Sequence, residues 1–298
     1  MVKASIIWFR NIRIGPGLIT NMKIQLNIFW REALMFGLTL ALGLFVASQN
    51  INLIPDIEIV QPSMITAGDL MWFIIIFAGI WLISRIRLLA SWLFWIFISL
   101  LIFSGSQIVI ASIAPFPADI IVSLLVLVAF LVFRKVIVHD AAMILAVAGL
   151  GAALGVIITP SVGILVLILL SFYDIIAVYK TKHMVHMVES MIRSGAVFGF
   201  IIPSSSELFL ASRREVKSRI GTDFTILGSG DIGLPVIFVS SLIRQSLPEA
   251  IIVACFVMLG LLLTHVLFVS QSERRPMAAL PPIATMTLIG YAVALAVI

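Results

Sequence analysis

Nine runs of apolar residues, bounded by charged or turn residues, constrain this chain more than any other feature. They fall at roughly 32–52, 66–84, 88–112, 118–133, 140–158, 162–179, 224–243, 249–270 and 277–297. A helix needs about 20 apolar residues to cross the hydrocarbon core of a bilayer. Composition supports that reading, because 62% of the 298 residues are hydrophobic and 11% are charged, with a mean hydropathy of +1.22. Soluble domains sit near about 45–50% apolar and about 25% charged. So much apolar surface cannot be hidden in a soluble core behind so few charges, and the excess must face lipid. A soluble enzyme, a nucleic-acid partner and a disordered chain are excluded. The expected fold is an all-α membrane protein of nine transmembrane helices, in the cell membrane if the chain is prokaryotic. About 30 residues precede the first run, too many for the n-region of a cleaved signal peptide.

The basic residues set the expected orientation. All but one of the 19 Lys and Arg residues fall on one side of a nine-span arrangement, Arg244 being the exception. Asp56, Glu58, Asp69, Asp119 and Glu249 mark the opposite loops. Positive charge stays on the cytoplasmic side, so the amino terminus is expected inside and the carboxyl terminus outside. An even number of spans would break the alternation. The chain then divides into a basic amino-terminal segment 1–31, a six-helix part 32–179, a cytoplasmic connecting loop 180–223 and a three-helix part 224–298, together forming one membrane domain. Within the first segment, Ile6–Arg13 and Ile24–Arg31 are amphipathic and suit either a membrane surface or a partly ordered basic tail. The lone cysteine, Cys255, rules out an internal disulfide and any multi-cysteine metal site. It reads as a small buried residue.

Two carboxylates lie inside the apolar runs, Asp174 in the sixth and Asp231 in the seventh. An ionisable group in a membrane is costly and by default marks a functional site. Asp174 precedes Lys180 by six residues and Asp231 follows Phe224 by seven. At 1.5 Å per residue both sit about 9–10 Å below the same membrane edge. Gly228, Ser229, Gly230 and Gly233 remove bulk beside Asp231, which lets another helix approach closely. Two adjacent carboxyls cannot both ionise freely, so they share a proton. One then serves as general base on a water while the other donates to the scissile carbonyl. In the ninth run, Pro276, Pro281 and Pro282 flank Ala278-Ala279-Leu280, with Leu280 about 7–8 Å deep by the same rise. Disrupted backbone at that depth is tolerated only beside protein or a water-filled cavity, which makes Ala279, Leu280 and Pro281 a candidate wall of the site.

Other chemistries have candidate residues of their own. Ser229 with His265 as base would suit a serine protease, but no Gly-x-Ser-Gly pattern occurs. His183, His186 and Glu189 share helical spacing, yet HExxH is absent and a solvated helix face accounts for them; no metal or organic cofactor is expected. Asp140 beside His139 reads as a helix N-cap. A proton-coupled secondary transporter is the main alternative, since intramembrane acids and interrupted helices also build ion sites. No matching repeat halves occur, however, and the acids lie nearer one edge than the midplane.

Three segments in order resemble the GxGD intramembrane aspartyl proteases, the presenilin and signal peptide peptidase group, most nearly an archaeal presenilin homologue. They are Tyr173-Asp174 with Ile175-Ile176-Ala177-Val178, then Gly228-Ser229-Gly230-Asp231, then Ala279-Leu280-Pro281. Ile232-Gly233-Leu234-Pro235 is closer to the signal peptide peptidase branch, and Ala278 replaces the proline that opens the family's PALP motif. The resemblance implies hydrolysis of peptide bonds within transmembrane helical substrates in the lipid bilayer. It makes Asp174 and Asp231 catalytic, with Tyr173, Gly228, Gly230, Ala279, Leu280 and Pro281 around the substrate. Accessory subunits are not expected to be required, and a homo-oligomer is compatible with the sequence. A helical substrate hides its amides, so it must unwind and find a backbone partner in lipid. Gly221–Ile226 and Pro276–Leu280 are the expected partners.

Overall fold

The structure, a computed structural model, describes residues 16–53, 71, 87–181, 191, 195–219, 223–271 and 277–298. The helices are α1 (Pro16–Leu53), α2 (Arg87–Ala111), α3 (Ala118–Val132), α4 (Val136–Ile157), α5 (Pro160–Ile175), α6 (Arg213–Arg219), α7 (Ser229–Leu242), α8 (Leu247–Val269) and α9 (Leu280–Val297). Two strands, β1 (Gly199–Pro203) and β2 (Phe224–Gly228), pair antiparallel. Helices therefore occupy eight of the nine expected spans. Six of them are long and apolar enough to cross a membrane, while α3 and α7 are shorter apolar helices. The expected second span, 66–84, lies outside the described residues, as do Ile6–Arg13, His183, His186 and Glu189.

Two expectations about local structure change. The amphipathic stretch Ile24–Arg31 is no separate surface helix but part of α1, which runs for 38 residues. No proline or glycine lies between Gly17 and Gly37 to interrupt it. The seventh run does not begin as a helix, because Phe224–Gly228 is extended and pairs with β1. Its β-branched Thr225 and Ile226 fit a pleated surface, and the pairing partner comes from the stretch expected to be a loop. In its described part that stretch folds into β1, a 3-10 turn at Ser206–Leu210 and α6. All five β1 residues are buried.

Helix α4 forms the centre, with α1, α2 and α7 packed along it. Apolar helices in lipid gain nothing from excluding water between them, so small residues that let backbones touch take over. Gly105 of α2 meets Ala146 and Gly149 of α4 backbone to backbone. Gly43 of α1 and Gly151 of α4 both receive the Val236 side chain of α7, and Gly155 abuts the Ile237 carbonyl and Ser240. Gly155→Leu is expected to cost at least about 1–3 kcal/mol, the usual range for overpacking. A lowered unfolding midpoint in detergent would show it, and an unchanged midpoint would count against this packing account.

Candidate active site

Asp174 closes α5. From Ile176 to Lys180 the chain widens into a π-helical turn, a distortion that recurs at functional sites. Asp231 sits in the first turn of α7. The helical-rise arithmetic for its depth does not hold, because five of the seven residues before it belong to β2 or its end. Its position comes instead from α5 ending where α7 begins. Both carboxyls are buried, Asp174 at 7% and Asp231 at 8% exposure. Asp174 lies close enough for its charge to act on Asp231.

The start of α9 supplies the third element. Its first residue, Leu280, donates its N–H to Asp174 Oδ2 at 3.3 Å. The first N–H groups of any helix lack intrahelical partners and attract anions. Pro281 and Pro282 carry no N–H, so the early donors of α9 reduce to very few, and Leu280 spends its own on the carboxylate. Ala279 is the N-cap, and its carbonyl accepts a 3.4 Å bond from Thr264 Oγ1 of α8. Ala278 and Leu280 are buried. The expected cavity wall is therefore also a carboxylate-holding helix start.

The glycines beside Asp231 act differently from the expectation. A Cβ on Gly228 would lie 2.9 Å from Asp231 Oδ2, whereas one on Gly230 would meet nothing within 4 Å. Gly228 clears room for the Asp231 carboxyl and turns its N–H toward it. Gly230, exposed, borders open space and not a neighbouring helix. Tyr173, next to Asp174, is 58% exposed.

The serine reading finds no geometry. Ser229 Oγ donates to the Phe198 carbonyl at 3.4 Å, while His265 Nδ1 meets Glu32 Oε2 of α1 at 3.0 Å. Glu32, buried at 9% exposure, is a nearby acid that sequence reasoning missed, and its charge too bears on Asp231. Its signal was a carboxyl at the first position of an apolar run. Asp140 is not an N-cap. Lys135 takes that position, and Asp140, one turn further in, accepts the Ile201 N–H of β1 at 2.9 Å. Cys255 is exposed, not buried. Among the described residues no group of three or more His, Cys, Asp or Glu is arranged to hold a metal ion.

The β1–β2 pair lies directly before Asp231, and its hydrogen bonding can be read from its ends. Ser204 N donates to Asp223 O at 2.8 Å and Ser229 N to Phe198 O at 3.4 Å. Backbone groups alternate sides along a strand, so Phe200 and Ile202 bond to Leu227 and Thr225. Phe224, Ile226 and Gly228 then face the other way. Among the described residues no third strand covers that edge of β2.

A profile of the family described as signal-peptide peptidase, presenilin aspartyl protease matches residues 56–298. Two solved structures of a presenilin family intramembrane aspartate protease share the fold. The one in a C222 crystal form has a TM-score of 0.56 at 19% identity, covering 89% of this chain and 96% of that one. The one in a P2 form has a TM-score of 0.55 at 21% identity, covering 88% and 97%. No curated protein sequence matches the chain.

Proposed function

The chain belongs to the signal-peptide peptidase and presenilin aspartyl protease family, and we propose that Asp174 and Asp231 are its catalytic pair. The observation that carries this reading is their placement. Two buried acids stand in the last turn of α5 and the first turn of α7, helices packed against each other, and the Leu280 N–H holds Asp174. A water between the carboxyls loses a proton to the ionised one as its oxygen attacks the scissile carbonyl. The protonated partner gives its proton to the carbonyl oxygen, and the tetrahedral intermediate collapses as the amide nitrogen is protonated. Which acid takes which part belongs to the coupled pair. Gly228 leaves Asp231 free to reach the water, and the Leu280 N–H orients Asp174.

The substrate is a membrane-spanning helix that unwinds at the cleavage site. Its exposed amides need partners within the bilayer, and the edge of β2 away from β1, which no third strand occupies among the described residues, offers Ile226 five residues before Asp231. Strand addition there uses main-chain bonds for affinity. Both acids, β2 and the α9 start come from one chain, so the protein acts without accessory subunits. The amino terminus is cytoplasmic, which places the pair near the cytoplasmic face.

Incubation of the purified chain in detergent with a transmembrane peptide tests the reading. Cleavage is expected without any ion gradient, with inhibition by a hydroxyl-bearing transition-state isostere. Turnover is expected to follow a bell-shaped pH profile, falling when the pair gains a second proton and again when it loses the shared one. A gradient requirement, or a flat profile through the acid range, would overturn the assignment.

A further inference from the structure

The edge of β1 that faces away from β2 is closed by side chains. His139 Nε2 donates to the Gly199 carbonyl at 2.9 Å, and Asp140 Oδ1 accepts the Ile201 N–H at 2.9 Å. Arg31 Nη1 donates to the Pro203 carbonyl at 2.8 Å. Pro203 has no N–H to satisfy. Alternate residues of β1 thus find, one after another, the partners that a third strand would supply. His139 and Asp140 are consecutive on α4, at 0% and 2% exposure, and Arg31 belongs to α1.

Neither polar side chain on α4 is there for its own helix. A buried His and Asp in an apolar helix are costly unless bonded, and both spend a bond on β1. A two-stranded sheet of this length is marginal alone, and its free edges are templates for pairing. Here one edge is taken up by α4 and α1, and the other, which leads to Asp231, carries no third strand among the described residues.

We propose that His139, Asp140 and Arg31 are positioning residues for substrate: they fasten β1, and through it β2, to the central helices. Among the described residues, the strand edge left to accept a substrate is then the one that presents it to the Asp pair in a single register. This rests on the reading above that the substrate adds to β2. Register matters because one residue of slip exchanges the two faces of a strand and moves the chain by about 3.3 Å. A loosened sheet would therefore bind substrate less firmly and deliver more than one peptide bond to the acids. The acids themselves, held on α5, α7 and the start of α9, would stay in place.

The test uses the full-length chain in detergent and one transmembrane peptide, with products sized by mass spectrometry. Asp140→Ala and His139→Leu are each expected to raise KM roughly tenfold, the scale of a lost buried hydrogen bond, and to add products displaced along the substrate. Asp140→Asn keeps the acceptor and His139→Gln keeps a donor, so both are expected to restore the wild-type product. Binding of the transition-state isostere should be unchanged throughout. Arg31→Met, at the half-buried rim, carries the same expectation if the α4 variants fail to fold. An unaltered KM and product pattern in folded Asp140→Ala, or in folded Arg31→Met where Asp140→Ala does not fold, overturns the proposal. So does a parallel loss of isostere binding, which marks a general structural role. A photo-reactive substrate should label 224–228 of the wild-type chain. Failure to label there removes the strand-addition reading itself, independently of how the variants behave.

Discussion

Asp174→Asn and Asp231→Asn are each expected to lower turnover of a transmembrane peptide by at least about 10²–10⁴-fold, the contribution of a positioned acid or base. Asn has nearly the shape of Asp but exchanges no proton. At 174 its carbonyl oxygen can still accept the Leu280 N–H now bonded to Asp174 at 3.3 Å, so the junction of α5 with α9 should persist. Unfolding midpoints should therefore stay close to wild type while cleavage disappears. The effects should also fail to add, because residues acting as one unit lose the whole function with either member. The double variant should be no slower than the worse single one. Near-normal turnover by either variant would remove the pair from the mechanism.

The second large effect separates two glycines of one motif. Gly228→Val is expected to abolish most turnover with the fold retained. Its Cβ would fall 2.9 Å from Asp231 Oδ2, closer than carbon and oxygen tolerate, and the carboxyl must move or rotate away. Misplacement of a catalytic group by about 1 Å can cost on the order of 10²-fold. Gly228 has φ −61° and ψ 138°, which is ordinary extended backbone for a β-branched residue, so strain does not enter. Gly230→Ala should leave folding unharmed, since a Cβ there meets nothing within 4 Å and alanine favours the helix it enters. Assays of both variants with the same peptide, beside isostere binding, would check the contrast. Equal loss in the two would mean that the motif works by close helix approach after all.

Much of the candidate site was legible in the chain because a charge in a membrane stands out against its surroundings. Asp174 and Asp231 interrupt apolar runs, and no bland role for two such acids accounts for their cost. The prolines at 281 and 282 likewise announced a disturbed helix start, though only the structure showed Leu280 as the residue whose N–H is used. Tyr173 was legible as a motif letter, and it stands exposed beside Asp174. Glu32 was passed over because it stands at the edge of a run, where an acid is unremarked, and only its burial against His265 distinguishes it. The sheet was hidden for a different reason. Val197–Ile202 and Phe224–Leu227 are short apolar stretches, too short for periodicity to separate strand from buried helix, and one of them was absorbed into a span.

What the linear chain determined is the membrane fold and the presence of two acids within it, on which the proposed pair rests. Both depend on solvation, which each residue carries with it: apolar runs enter lipid, and a carboxyl there demands a use. What tertiary structure decided is how those acids are served. A hydrogen bond from Leu280 to Asp174 spans 106 residues, and those from Ile201 to Asp140 and from His139 to Gly199 span 61 and 60. Directional bonds of that separation depend on where helices end in space, and no local pattern of residue types encodes it.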